Sequence, residues 1–149
     1  KSLNISKDDG LLLVGHGGLG SGNSSYGNLQ FKLIREGLTN VRIAVLENAP
    51  YVADVAMPWE WLDGKRPNTI YVHPLLLVLG DHAQNDLFGD EEDSVINELA
   101  DYGYEVKPIH SALGEYEAIQ DIFRQHVQDC IDDLYGKRSS HRPTIPNIK

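Results

Sequence analysis

Three side chains in this 149-residue sequence are spaced as if each belonged to a separate strand of one sheet. His16 follows the apolar run LLLV (residues 11–14), Glu47 follows VRIAVL (41–46), and His82, with Asp81 before it, follows TIYVHPLLLVL (69–79). From His16 to Glu47 is 31 residues (47 − 16), and from Glu47 to His82 is 35 (82 − 47). Each interval is about one strand-plus-helix unit. Open parallel sheets bind ligands beyond the carboxyl ends of their strands, so this spacing presents one candidate ligand per strand at a common edge. Two imidazoles and a carboxylate, with coordination positions left open, suit a borderline divalent ion such as Fe, Co, Ni or Zn. His110 ends a fourth and weaker run, 104–110, at the same edge. It reads more readily as a packing or turn residue.

Other chemistries compete for the same residues. LLLVGHGGLGSG (11–22) spells G-x-G-x-x-G through Gly15, Gly17 and Gly20, a dinucleotide signature in which Glu47 would meet a ribose. Two features count against it. The acid should follow the glycines by about 20 residues, and here the gap from Gly20 is 27 (47 − 20). SGNSSYG (21–27) also delays the helix whose N-terminus would hold a pyrophosphate. A serine hydrolase is weaker still, since no serine lies in G-x-S-x-G. The plain readings are a turn histidine at 16 and a solvated helix cap at Glu47. His126 lies on a helical apolar stripe and His73 precedes Pro74 in a buried strand, so both read as structural. Trp59 and Trp61 either line a cleft or mark an exposed edge or partner interface.

The elements that must hold these residues alternate between strand-like and helix-like runs. Strands are expected at 11–14, 41–46, 69–79 and 104–110, and helices at about 24–38, 50–63, 90–102 and 115–135. Pro74 should break or bend the third strand, and Pro58 should end or kink the second helix. Acids at 90–93 suit the start of the third helix. In the last, Ile119, Ile122, Phe123, His126, Val127, Cys130, Ile131 and Leu134 step down one face, and Gly136 stops it. The alternation predicts an α/β fold: a four-stranded parallel sheet flanked by helices on both faces. The domain is expected over 10–136, after a short lead (1–9) and before an aperiodic tail (137–149), read as a loose extension or an arm onto another subunit.

Composition narrows the classes. A formal net charge of −9 argues against nucleic acid and mildly against anionic membranes. No run is long and apolar enough for a membrane span, and residues 1–10 lack an apolar signal core. The one cysteine, Cys130, excludes an internal disulfide and fits a reducing compartment. A cytoplasmic location is the default, with a periplasmic one as the alternative.

GDHAQNDLFGDEEDS (80–94) resembles the anaerobic-type sirohydrochlorin cobaltochelatases, the CbiK-like class II chelatases, in the pattern Gly-Asp-His-Ala-x-Asn-Asp before an acidic helix start. LGEYEAIQDIF (113–123) and the opening strand ending in Gly-His-Gly resemble the same family. The likeness runs over about 10–135 and is to the C-terminal domain of a two-domain enzyme that holds its tetrapyrrole between the halves. It implies His16, Glu47 and His82 as metal ligands and catalytic residues, with Asp81 orienting an imidazole. It implies insertion of Co2+ or Fe2+ into sirohydrochlorin, with the metal as substrate and no organic cofactor. It further implies a partner, either a missing N-terminal domain or a second copy in a homodimer. A metal- or tetrapyrrole-binding module without turnover is the alternative function. The sequence departs from the family pattern at Asn48-Ala49-Pro50, where Gly-Tyr-Pro is usual, and over 57–68, where a charged helix is usual.

Overall fold

The computed structural model describes residues 5–59 and 64–136, except the side chain of His82. Its contacts divide the chain into two compact units, Lys1–Leu113 and Gly114–Lys149. The first holds strands β1 (Gly10–Gly17), β2 (Val41–Glu47), β3 (Thr69–Pro74) and β4 (Glu105–Pro108). Its helices are α1 (Ser24–Arg35), α2 (Val52–Ala56), α3 (Asp81–Phe88) and α4 (Val95–Asp101). The second holds α5 (Glu117–Leu134). The four strands form one sheet in the order β2-β1-β3-β4, every pair parallel. The expected α/β class and strand number are therefore observed.

Side-chain alternation sorts the sheet into two faces. Leu12, Val14, Ala44, Ile70 and Val72 point to one of them and form the core with Val52, Ala56, Leu87, Val95 and Leu99 from α2, α3 and α4. Trp59 is 1% exposed in this core, with Arg42 stacked on its ring at 5.0 Å and Tyr104 6.3 Å away. Trp59 is thus a core residue, neither a cleft wall nor an exposed edge, while Trp61 lies outside the described residues. Arg42 is buried because carbonyls satisfy its guanidinium: Nη1 donates to Thr39 O and Val41 O, and Nη2 to Trp59 O.

The other face is covered unevenly. Val41, Ile43 and Val45 of β2 are buried under α1, where the Gln30 amide donates to Val41 O and accepts from Ile43 N. Leu11 and Leu13 of β1 are only half-buried, as is Tyr71 of β3, although Thr69 and His73 are buried. On β4, Glu105 and Lys107 are exposed, with the Lys107 ammonium 5.6 Å from the Tyr71 ring. His73 bonds through Nδ1 to Pro74 O at 2.8 Å, which agrees with its structural reading.

Element boundaries depart from the sequence expectations in three places. The third strand stops at Pro74 rather than reaching 79. Proline has no N–H to continue a ladder; the next amide, Leu75 N, bonds to Val14 O, and the chain then leaves the sheet. The segment 80–88 starts a helix of its own, α3, instead of a loop. α4 consequently begins at Val95, after the acids at 90–93. The second helix is the short α2, ending before Pro58. Among the described residues no helix is long and apolar enough to cross a membrane.

Candidate metal site at the carboxyl edge

β1 carries the glycine-rich signal to its end. Gly15 and Gly17 flank His16, and both are needed where they stand. A Cβ on Gly15 would fall 2.4 Å from the Tyr26 ring. One on Gly17 would fall 2.1 Å from Glu47 O, and its φ of +82° is one that only glycine adopts freely. Gly17 is paired with Glu47 in the register, so this close approach brings the ends of β1 and β2 together. The glycines therefore set backbone geometry around His16.

The consequence is a meeting of two side chains. His16 Nδ1 lies 4.0 Å from Glu47 Oε2, and the two side chains are 52% and 56% exposed. At that distance they do not share a hydrogen bond. Two donors at about 2.1 Å from one ion sit roughly 3–3.5 Å apart, so closure by less than about 1 Å would place both on one metal. Each remains open to solvent on its other side. The sequence-predicted pair is thus brought together.

His82 is the second residue of α3, which opens immediately after Gly80. Its side chain lies outside the described residues, and among those described no three His, Cys, Asp or Glu are grouped to hold a metal. Asp81 is exposed at the first position of α3. His110 stacks edge-on against Phe88 at 4.6 Å, a packing role as its plain reading expects. His126 is exposed on α5, and His141 lies outside the described residues.

Two asparagines that sequence reasoning missed fasten the loop after Glu47. Asn23 Nδ2 donates to Glu47 O and Ala49 O, each at 3.0 Å. Asn48 Nδ2 donates to Gly18 O at 2.9 Å. Asn48 itself has φ +66°, and the Ala49–Pro50 peptide is cis. Asparagine and glycine are the residues that tolerate this left-handed backbone. That accounts for Asn48 standing where the family pattern has glycine, and the departure was the available signal.

Pockets elsewhere have a different character. One of about 490 Å3 is lined by Asp8, Asp9, Lys65, Arg66, Thr69 and Glu105. Thr69 and Glu105 begin β3 and β4, so it lies at the amino edge, opposite the His16–Glu47 pair.

A parallel α/β sheet that brings an imidazole and a carboxylate to within 4.0 Å at adjacent strand ends can offer two donors to a divalent ion. The chain belongs to the cobalt chelatase (CbiK) family, whose model matches residues 1–132. It is 27% identical over 128 residues to the sirohydrochlorin cobaltochelatase of Salmonella typhimurium, covering 86% of this chain and 47% of that protein. It is 28% identical over 127 residues to sirohydrochlorin cobaltochelatase CbiKC of Nitratidesulfovibrio vulgaris, covering 85% and 44%. The chain therefore spans about half the length of the curated relatives it matches. Among solved structures, a CbiX protein of Marinobacter aquaeolei, described as a candidate in cobalamin (vitamin B12) biosynthesis, superposes with a TM-score of 0.64 at 18% identity. That match covers 85% of this chain and 98% of the other, and it supports the fold.

Proposed function

We propose that this chain is the metal-holding half of a sirohydrochlorin cobaltochelatase, with His16, Glu47 and His82 as the residues that carry Co2+ to the ring. The observation that carries the proposal is the 4.0 Å approach of His16 and Glu47 at the ends of adjacent strands, in a chain of the cobalt chelatase family. Both curated relatives are named for cobalt and neither for iron. Cobalt is accordingly the metal proposed, and Fe2+ becomes a comparison to run.

The chemistry asks for weak, surrenderable ligands and a proton acceptor. Neutral imidazole and carboxylate hold a borderline ion while leaving coordination positions for ring nitrogens. As the metal–nitrogen bonds form, two pyrrole N–H bonds break, and the protons pass to bases and then to water. Glu47, exposed beside His16, is the acceptor proposed for one of them. Asp81, next to His82, is proposed to orient that imidazole. A second α/β half, either another domain or another copy, completes the cleft around the macrocycle.

Anaerobic metallation of sirohydrochlorin by Co2+, followed by visible absorbance over a series of protein concentrations, tests this. The expected result is a rate above the uncatalysed control that falls at least about tenfold in His16→Ala, since even indirect partners of a metal ligand are worth 10–100-fold. A rate unchanged in both His16→Ala and Glu47→Gln would reject the assigned residues. Tight Co2+ or tetrapyrrole binding with no metallation, even with a second half supplied, would instead establish a binding module.

A further inference from the structure

The start of α1 meets the ends of both site strands. It does so through two side chains three positions apart, Asn23 and Tyr26, which a helix presents on one side.

His16 stands between two glycines, and glycine leaves the backbone on either side of it free to turn. That freedom has to be taken up if the imidazole is to hold one position. The Tyr26 ring lies against Gly15, where a Cβ would fall 2.4 Å from Cε1 and 2.8 Å from the hydroxyl oxygen. The same hydroxyl accepts a hydrogen bond from Gly17 N at 3.4 Å. One side chain therefore touches both neighbours of His16.

Asn23 acts in the same way on β2. It joins the 3-10 turn Gly20–Asn23 to α1 in helical backbone (φ −67°, ψ −14°) and makes no bond to its own helix end. For the helix it is a poor choice, since alanine is the better former. Its amide donates across the gap instead, to Glu47 O and Ala49 O at 3.0 Å each. SGNSSYG (21–27), the stretch that sets α1 off from β1, thus contains both contacts.

We infer that Asn23 and Tyr26 are positioning residues for the metal. Anchored on one helical turn, they hold His16 and Glu47 at the 4.0 Å separation from which a small closure puts both on one ion. The inference rests on the metal site proposed above and adds to it two residues that touch no metal. Indirect partners of this kind are worth roughly 10–100-fold in metal affinity.

Isothermal calorimetry of the full chain with Co2+ is the test, read first on wild type and His16→Ala, then on Tyr26→Phe and Asn23→Ala. Tyr26→Phe keeps the ring on Gly15 and loses only the hydroxyl. Asn23→Ala loses the clasp and gains helix propensity. Each should bind Co2+ about tenfold more weakly than wild type. The visible spectrum of bound Co2+, which reports its coordination geometry, should change with them. Without metal, the amide resonance of Gly17 should move in Tyr26→Phe. Gln30→Ala is the structural control, because it unfastens the same helix from Val41 and Ile43, away from the site. It should lower the urea midpoint yet leave Co2+ affinity within about twofold of wild type. Wild-type Co2+ affinity in either Tyr26→Phe or Asn23→Ala would overturn the inference, and so would a loss that Gln30→Ala reproduces. Co2+ binding unchanged in His16→Ala would overturn it together with the metal site beneath it, and reading that variant first tells the two failures apart.

Discussion

At the scale of single residues, the site depends on what glycine and asparagine permit. Gly17→Ala must force a Cβ to within 2.1 Å of Glu47 O at a φ of +82°. It should cost roughly 2–3 kcal/mol in urea unfolding and weaken Co2+ binding by calorimetry, although it touches no ligand atom. Asn48→Gly keeps the backbone and loses one clasp, so it should be milder than Asn48→Ala. Metal ligation needs unprotonated donors, so apparent Co2+ affinity at the His16–Glu47 pair should fall as pH is lowered; an affinity that is flat with pH would argue against imidazole ligation. At this scale the sequence was informative about His16 and Glu47, because strand ends in a parallel sheet are forced to one edge. It was silent on the Asn23 clasp, since a side chain reaching 24 residues along the chain leaves no local pattern.

At the scale of elements, buried polar groups and proline decide the outcome. Arg42 stands between the buried Val41 and Ile43 in β2 and is 4% exposed. Arg42→Ala removes its bonds to the Thr39, Val41 and Trp59 carbonyls and its stacking on Trp59, and should cost about 3 kcal/mol by chemical denaturation. The Glu105 carboxyl is held below its ordinary value of 4.5, first by the hydrogen bond from the Thr69 hydroxyl and then by Lys107. A depressed folded value stabilises above the unfolded one and is lost as pH falls through the folded one. The stability lost in Thr69→Val should therefore be largest near neutrality and shrink in the acid range below 4.5; it will be small, because Glu105 is exposed. The sequence showed where strands and helices alternate because their periodicities differ. It mistook LLLVL (75–79) for strand, since apolarity alone does not distinguish a ladder from a loop held by Leu75 N and Leu76 O. It merged α3 into a loop because GDHAQND lacks an apolar period. It also placed α5 correctly, because a 3.6-residue apolar period sustained over 18 residues has no competing reading.

At the scale of the whole molecule, the chain spans about half the length of the curated relatives it matches. If the proposed cleft needs two halves, activity per chain should rise with concentration when a second copy supplies the other side, and should be rescued by an added half when it does not. A specific rate independent of concentration from nanomolar to micromolar would mean that one half suffices. Strand-by-strand pairing of any further chain at the β2 margin is constrained by Gln30. Its amide occupies Val41 O and Ile43 N, the backbone groups through which β2 would otherwise accept a new strand. At the opposite margin, β4 is four residues long and ends in Pro108. Such a sheet is a finite object: with both margins interrupted it gives a further chain little to pair with strand by strand, and the expectation is that it does not seed fibrils. Gln30→Val should reopen the β2 margin, and heated samples of that variant should become turbid and bind thioflavin T under conditions where the wild type stays clear.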